Sequence, residues 1–313
     1  MESTVKGKIL KGVGGLYTVS VLSDTVENKE IRCRARGSFR HDRLTPLAGD
    51  NVILSYDEKA ADDDGKFVID EIVDRKNALI RPPMANLDYL FVTMATASPA
   101  PILSTVDKLI CIAEHNGIEP VIVITKCELD EGKADELYRI YSSCGFETFK
   151  LSAVEDIGIS PIDDFIKQKL PTRTAAFAGA SGIGKSTLLN RLFPSLNLST
   201  SEISRKIERG RHTTREVKLF PLSDAADCGY IADTPGFSML DFKRFDFFEK
   251  EDLPNTMREF APYLSGCRYT KCSHTKEEGC AVLQAVKDGY IPKSRHESFV
   301  ELYDILKTRK KWD

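Results

Sequence analysis

An α/β fold is predicted, with a small β-barrel before it and a compact, mostly helical, cysteine-containing module after it. Short alternating strand patterns fill the N-terminal part of the chain. Apolar strand-like runs then alternate with helical stretches, which is typical of a parallel sheet covered by helices on both faces. Near the C-terminus, cysteines cluster with a histidine. With 313 residues, the chain is long enough for about two or three compact units.

Composition limits the class of protein. The net charge of -3 excludes a protein that is basic throughout, but it leaves room for local basic patches. No apolar run is long enough to span a bilayer and the polar start is unlike a signal peptide, so a cytoplasmic protein without a membrane partner is predicted. Reduced thiols fit better than a disulfide framework, because five cysteines stand singly in apolar surroundings: Cys33, Cys111, Cys127, Cys144 and Cys228.

The N-terminal segment contains five short strand patterns, at residues 5–10, 17–21, 31–36, 52–56 and 67–72. In the third pattern apolar residues alternate with arginines, so Arg32, Arg34 and Arg36 share one face. Strands of this number and spacing favour a small Greek-key barrel, of which the OB-fold is the commonest nucleic-acid-binding version. Another small barrel with a solvated arginine face is the alternative interpretation.

The middle of the chain begins after Arg81 and two prolines. Its strands are expected at residues 89–94, 120–124, 148–151, 174–178, 217–222 and 230–232, and its helices at 104–115 and 133–143. Beyond about residue 240 the composition becomes aromatic and acidic. Phe299, Leu302, Tyr303 and Leu306 then follow helical spacing. The predicted domains are 1–76, 77–240 and 241–313.

Residues 179–187 match the phosphate-loop pattern G-x4-G-K-[ST] between a strand and a helical stretch at 187–193. Glycines let backbone N–H groups turn onto phosphate oxygens, and the N-terminus of the following helix favours negative charge. Lys185 would bridge the β- and γ-phosphates, and Ser186 would ligate Mg²⁺. A chance glycine-rich turn is the alternative, which the strand–loop–helix setting disfavours. The candidate phosphate-binding residues are Gly179, Ala180, Ser181, Gly182, Ile183, Gly184, Lys185, Ser186 and Thr187.

A second nucleotide motif, Asp-Thr-Pro-Gly, runs from Asp233 to Gly236 after a strand. In P-loop hydrolases an acid at this place holds Mg²⁺, and a glycine N–H meets the γ-phosphate. Between the two motifs, residues 205–215 are basic and rich in hydroxyl groups. Thr214, in preference to Thr213, is predicted to close over Mg²⁺ and the γ-phosphate as part of a switch loop. A flexible charged loop is the alternative.

The base-recognition motif stands upstream of the phosphate loop instead of downstream. A carboxylate at Glu128 can accept two hydrogen bonds from the guanine edge, whereas adenine lacks that pair of donors and is rejected. A short loop at another strand end is expected to support the base. The order of base motif, base loop, phosphate loop, switch and acid is that of a circularly permuted G domain. The candidate base-binding residues are Thr125, Lys126, Cys127, Glu128, Ser152 and Ala153.

The C-terminal cluster supplies three thiolates and one imidazole, from Cys267, Cys272, His274 and Cys280. This donor set fits a closed tetrahedral zinc site with no open position for water, so the predicted role is structural. A chance cluster of buried cysteines is the alternative, and redox sensing is disfavoured because no Cys-x-x-Cys pair is present. Basic residues near the cluster and at the terminus suit RNA phosphates or a solvated surface: Arg268, Lys271, Lys276 and the run at 307–311.

With these motifs in this order, and a module on each side, the chain resembles the small-subunit-dependent ribosomal GTPases, the RsgA family, over essentially its whole length. The resemblance implies a permuted P-loop GTPase domain between an RNA-binding OB-fold and a zinc-binding domain. It also implies GTP hydrolysis in late maturation of the 30S subunit, stimulated by that subunit, with 16S rRNA as partner and a monomeric chain. GTP is expected to be preferred over ATP despite two departures, Thr125 for the usual Asn and Glu128 for the usual Asp.

Phe237 follows the acid motif where Ras-type enzymes place a water-orienting glutamine, and phenylalanine cannot hydrogen-bond water. His212 in the switch loop is the candidate to orient or deprotonate the attacking water, and the resemblance implies the same. Lys185 and Thr214 complete the predicted catalytic set. The alternative role for His212 is contact with RNA or solvent. Because the chain runs from Gly236 straight to the C-terminal module, nucleotide state is hypothesised to reposition that module.

Two other functions stay open from the residues alone. One is an RNA-binding assembly factor in which GTP only locks a conformation and hydrolysis is incidental. The other is a P-loop kinase or ATPase, which Lys126 and Glu128 would not explain and which no lid or acceptor-substrate motif supports. Permuted GTPases also serve the large subunit, and the barrel and cysteine cluster favour the small one by resemblance.

Overall fold

The structure, a computed structural model, describes residues 4–21, 30–37, 39, 44–56, 66–80, 82–194, 217–223, 225, 228–233 and 249–308. Within these ranges no helix has the length and apolar character that crossing a membrane requires. The strands are β1 (Val5–Val13), β2 (Leu16–Val21), β3 (Glu30–Ala35), β4 (Asn51–Tyr56), β5 (Phe67–Ile72), β6 (Ala78–Ile80), β7 (Pro83–Ala85), β8 (Tyr89–Ala95), β9 (Glu119–Thr125), β10 (Glu147–Lys150), β11 (Thr174–Ala178), β12 (Lys218–Pro221) and β13 (Tyr230–Asp233).

Helices follow or separate the strands of the α/β part and make up most of the C-terminal module. The α-helices are α1 (Leu103–His115), α2 (Glu131–Ser143), α3 (Ile159–Lys169), α4 (Lys185–Leu192), α5 (Ala281–Lys287) and α6 (Lys293–Lys307). Three 3-10 segments are Cys127–Leu129, Leu253–Thr256 and Arg258–Gly266. By its contacts the chain divides into two compact units. Unit 1 is Met1–Tyr89, Asp163–Phe177 and Leu192–Phe237, and unit 2 is Leu90–Ile162, Ala178–Arg191 and Ser238–Asp313.

Unit 1 contains a closed five-stranded barrel in the order β1-β2-β3-β5-β4. The alternation in β3 is as the sequence predicts, because Ile31 and Cys33 are buried in the barrel core while Arg32 and Arg34 are exposed. Strand β3 pairs in parallel with β5, and the other barrel pairs are antiparallel. The predicted N-terminal β-barrel is therefore confirmed.

Strand β12 departs from the expected parallel sheet. In unit 1, β11 pairs in parallel with β13, but β12 pairs with β13 antiparallel. The physical reason is the short connection, since Leu222 N–H donates to the Gly229 carbonyl at 2.9 Å and closes a hairpin. A hairpin forces antiparallel pairing, whereas parallel pairing needs a longer crossover. An apolar run alone does not distinguish the two cases.

Strand β13 also covers one side of the barrel within unit 1. Lys8 and Ser20 are opposite each other on β1 and β2, and their neighbours Ile9 and Val19 point into the barrel core. Lys8 and Ser20 therefore point outward, yet both are buried. The cover is Tyr230, whose ring centroid is 5.5 Å from Lys8 Nζ and whose hydroxyl is 3.4 Å from Ser20 Oγ. Loss of solvent lowers the pKa of Lys8 to about 8.

Unit 2 contains β10, β9 and β8 in that order, with β10 parallel to β9. Its C-terminal part is fixed to helix α1 by a fully buried ion network. Arg295 of α6 donates to Asp107 of α1 and, at 2.7 Å, to Glu259. Tyr141 of α2 donates its hydroxyl to Asp107 at 3.0 Å, and burial raises the pKa of Tyr141 well above its usual value. Four elements distant in the sequence are thus joined in one network, through the Arg295 guanidinium and the Asp107 carboxylate.

Candidate nucleotide-binding site and metal cluster

The phosphate loop connects β11, which ends at Ala178, with α4, which begins at Lys185. Its backbone requires glycine. Gly179, Gly182 and Gly184 have φ angles of +145°, +78° and +91°, which L side chains rarely adopt. A Cβ at Gly179 would also lie 2.2 Å from the carbonyl oxygen of Thr93 on β8. Only glycine allows this close approach, so the loop conformation follows from the spacing of its glycines.

The Lys185 side chain folds back onto the first two residues of this loop. Its Nζ donates to the carbonyl oxygens of Gly179 and Ala180, at 2.6 Å each. The side chain is half-buried, and burial lowers its pKa to about 8. A partly desolvated cation whose hydrogen bonds go to carbonyl dipoles can receive an anion. Ser186 and Thr187 follow in the first turn of α4.

The structure brings Thr125 and Lys126 to the phosphate loop across more than fifty residues of sequence. Thr125 ends β9, and its Oγ1 lies 2.6 Å from the Ile183 carbonyl oxygen. Lys126 has a left-handed backbone with φ of 55°, which turns its side chain toward the loop, and Nζ donates to the Gly182 carbonyl at 2.7 Å. Lys126 Nζ also donates to the Ser98 carbonyl. Two neighbouring motif residues therefore hold the loop by its backbone oxygens.

Glu128, in the 3-10 segment after β9, has a carboxylate oxygen with no partner. Its Oε2 is buried and accepts no hydrogen bond from any residue that the structure describes. An unsatisfied buried acceptor typically costs about 1–3 kcal/mol, and more when it is charged. Glu128 follows Lys126, which contacts the phosphate loop, by two residues, and an unpartnered acceptor there fits a ligand that carries N–H donors.

The predicted base loop is bonded to the base motif through the backbone. Cys127 N–H donates to the Leu151 carbonyl at 3.2 Å, so the base motif and the loop after β10 are directly bonded. Ser152 and Ile157 exchange two backbone hydrogen bonds of 2.9 and 3.0 Å, which close the loop. Ala153 follows Ser152 at the start of the loop and is half-buried. All six candidate base-binding residues are therefore in unit 2, as is the phosphate loop.

A second site is the cysteine–histidine cluster, again in unit 2. The side-chain ligand atoms of Cys267, Cys272, His274 and Cys280 all lie within 4.8 Å of one another. The two sulfurs of Cys267 and Cys280 are 3.8 Å apart, and each is 3.5 Å from His274 Nδ1. Tetrahedral zinc with Zn–S bonds of about 2.3 Å would place two sulfurs about 3.8 Å apart. The donor set and its spacing therefore fit one metal ion.

Neighbouring groups fix the shape of this cluster. His296 Nε2 lies 2.8 Å from the His274 carbonyl oxygen, which suits an N–H donor. Backbone N–H groups of Ala281 and Leu283 donate to the sulfurs of Cys267 and Cys280 at 3.4 and 3.5 Å. Hydrogen bonds of this kind orient metal ligands and stabilise negative sulfur. These supporting groups were not evident from the sequence, because backbone donors leave no residue-type signature.

Some predicted site residues fall outside the described ranges. They are His212, Thr213, Thr214, Gly236, Phe237 and the basic residues 309–311. Asp233 is the last residue of β13 in unit 1. The roles of these residues stay predictions from the sequence, as do the three domain boundaries.

Comparison with known proteins identifies the family. A family model described as RsgA GTPase matches residues 72–243, and one described as RsgA N-terminal domain matches residues 6–62. The chain belongs to the RsgA GTPase family. It is therefore a GTPase with a permuted order of motifs, in which the base motif precedes the phosphate loop. The resemblance inferred from the motifs is confirmed.

Relatives of this RsgA-family chain match it over nearly its whole length. A protein of Alkaliphilus metalliredigens named small ribosomal subunit biogenesis GTPase RsgA is 38% identical, over 98% of this chain and 99% of that protein. A protein of the same name from Enterococcus faecalis is 39% identical, over 98% of this chain and 97% of that protein. The crystal structure of YjeQ from Thermotoga maritima has 32% identity and a TM-score of 0.79, with coverage of 98% and 100%. YloQ, described as a circularly permuted GTPase, has 32% identity and a TM-score of 0.75, with coverage of 98% and 96%.

Proposed function

We propose that this chain hydrolyses GTP in the biogenesis of the small ribosomal subunit, with Glu128 reading the guanine base and Lys185 binding the phosphates. One observation supports this nucleotide site more strongly than any other observation does. The buried, unpaired Glu128 oxygen belongs to the same short motif as Thr125 and Lys126, which grip the phosphate loop. The names of the curated relatives support the biological role.

Guanine selection follows from the unpaired carboxylate. The N1–H and the 2-amino group of guanine present two donors to one carboxylate, whereas adenine presents an acceptor at N1 and no amino group at C2. Adenine would therefore leave the Glu128 oxygen buried without a donor. Thr125 takes part differently, because its hydroxyl reaches loop and strand carbonyls, those of Ile183 and Met94. We propose that Thr125 holds the loop while Glu128 reads the base.

Phosphate binding is assigned to the loop backbone and to Lys185. A γ-phosphate beside the Lys185 amine would replace the loop carbonyls that now accept its hydrogen bonds. Ser186, in the first turn of α4, is the proposed Mg²⁺ ligand from this unit, and Thr214 and Asp233 stay the predicted others. Mg²⁺ bound with GTP neutralises charge that develops on the phosphates. His212 is the proposed residue that orients the attacking water.

Zinc is the metal proposed for the Cys267, Cys272, His274 and Cys280 cluster. Three sulfurs and one imidazole nitrogen fill a tetrahedral coordination sphere, so the ion would stabilise the module without taking part in hydrolysis. Folding of small modules of this kind depends on the ion, because binding supplies about 10–16 kcal/mol.

RNA of the small subunit, 16S rRNA, is the proposed partner of both flanking modules, and the chain is proposed to act as a monomer in the cytoplasm. On the barrel, Arg32 and Arg34 are exposed side by side on one face of β3. Beside the metal cluster, Arg268, Lys271 and Lys276 are exposed. Exposed basic groups of this kind bind phosphates with a steep dependence on salt.

GTP turnover with purified ribosomal subunits tests the proposal. We expect slow hydrolysis by the chain alone, strong stimulation by small subunits and none by large subunits. An excess of ATP is expected not to compete. Stimulation by large subunits alone would contradict the proposed role, and equal competition by ATP would contradict the site. In the same assay, His212→Ala is expected to lose stimulated turnover while GTP binding persists; unchanged turnover would remove His212 from the mechanism.

A further inference from the structure

Arg191 and Asp156 form a two-pronged ion pair between the phosphate helix and the base loop. Arg191 Nη2 donates to both carboxylate oxygens of Asp156, at 2.7 and 2.8 Å, and Nε donates to Oδ1 at 3.0 Å. Planar contacts of this kind fix orientation as well as distance. The two residues are 35 positions apart and lie on different elements of unit 2.

Because both side chains are exposed, this ion pair adds little to the folding stability of the protein. The two side chains are 49% and 58% exposed, and exposed ion pairs contribute little to folding stability. What distinguishes the pair is what it connects. Arg191 lies near the end of α4, the helix that begins at Lys185, and Asp156 lies in the loop that begins at Ser152 and Ala153. Those two elements hold opposite ends of the nucleotide in the proposed site.

Among the residues that the structure describes, the other hydrogen bonds at the tip of this loop are internal to the loop. Glu155 N–H donates back to Ser152 Oγ at 3.1 Å, and Ser152 and Ile157 bond each other, so these contacts shape the loop internally. Val154 is 80% exposed, and Asp156 has a left-handed backbone with φ of 60°. Aspartate is one of the few non-glycine residues that adopt this conformation readily, so the backbone itself does not fix the tip. Arg191 is a contact that reaches from the tip to another element.

We infer that Arg191 and Asp156 are positioning residues that hold the base loop against helix α4 and so raise the affinity for guanine nucleotides. The inference rests on the proposed function, in which this loop supports the base. Neither residue takes part in the chemical step. Without the pair, the loop samples more conformations, and binding must then order it. The loss affects GTP and GDP alike, because the loop is assigned to the base and not to the γ-phosphate.

The test compares Arg191→Gln, Asp156→Asn and the double variant. Asparagine at 156 tolerates the left-handed backbone, so the Asp156→Asn substitution removes charge without adding strain. Lys133→Gln is the matched control, because it removes a partly exposed ion pair of 2.9 Å with Glu136 within α2 and leaves the Arg191–Asp156 contact in place. GDP affinity, GTP affinity and turnover at saturating GTP are measured for each protein, together with the unfolding midpoint.

Each single substitution is expected to weaken GDP and GTP binding by roughly two- to fivefold. The double variant is expected to be no weaker than the singles, since both remove one interaction. Turnover at saturation and the unfolding midpoint should match those of Lys133→Gln. Unchanged affinity in the singles, additive losses in the double variant, or a fall in turnover at unchanged affinity would each overturn the inference. If the unmodified protein failed to distinguish GDP from ADP, the proposed function would fail instead.

Discussion

Replacing Lys8 with methionine tests the packing of the barrel against β13. Lys8 is 6% exposed, its best hydrogen bond is 3.4 Å to the Gly49 carbonyl, and its amine lies over the Tyr230 ring. Burial lowers its pKa from 10.5 to about 8, although Asp88 and Asp50 act in the opposite direction. At about 1.4 kcal/mol for each tenfold change in acidity, keeping this amine charged costs about 3 kcal/mol.

The sign of the pH dependence follows from proton binding. Between pH 8 and 10.5 the unfolded chain keeps the Lys8 proton that the folded protein releases, so stability rises with pH in this window. Below pH 8 the full cost of the buried charge is present. Methionine removes that cost but loses the Tyr230 and Gly49 contacts, so the net gain at pH 7 is expected to be about 1–2 kcal/mol.

Urea denaturation at pH 7 and at pH 9.5 measures the effect. Lys6→Met is the control, because Lys6 lies on the same face of β1 but is exposed. We expect Lys8→Met to be more stable than the unmodified protein at pH 7, with a smaller difference at pH 9.5, and Lys6→Met to change little. A loss of stability at pH 7, or a gain that grows with pH, would refute the packing argument.

Three further outcomes follow from other contacts. Arg295→Met should destabilise the protein by about 3–5 kcal/mol in chemical denaturation, because Asp107 and Glu259 lose their buried partner. Adding Asp107→Asn and Glu259→Gln should recover much of the lost stability, and no recovery would contradict the network. Above pH 8, GDP affinity should fall with rising pH, because bound phosphate raises the pKa of Lys185 from about 8 and binding therefore takes up a proton. A GDP affinity that stayed constant above pH 8 would contradict this role of Lys185. Chelation should unfold the C-terminal module, as followed by hydrogen exchange in α5 and α6, and unchanged protection would exclude the metal.

Local spacing explains why the nucleotide motifs were visible in the sequence. A phosphate loop and a base motif are short runs in which each residue type has its own physical reason, so Gly179, Lys185 and Glu128 stand out without a structure. The oxygens that Thr125 and Lys126 contact were invisible, because they belong to the backbone of the loop. Backbone acceptors carry no residue-type signal.

Long-range charge pairs were the other part that sequence reasoning missed. Arg295 and Asp107 are 188 residues apart, and each resembles an ordinary solvated charge on a helix. Lys8 likewise looked like an outward-facing lysine on a barrel strand, and only the position of Tyr230 shows that it is buried. The pairing direction of β12 was wrong for a related reason, since an apolar run carries no information about its neighbour.

Nucleotide selectivity of a Glu128→Gln variant provides the sharpest check on the account. A carboxylate accepts from both donors of guanine, whereas an amide offers one acceptor and one donor, a pattern that matches the N1–H and C2 carbonyl of xanthine. The unmodified protein is expected to bind GDP in preference to both ADP and XDP. Glu128→Gln is expected to prefer XDP over GDP, by on the order of tenfold. A variant that still preferred GDP would show that Glu128 does not face the base.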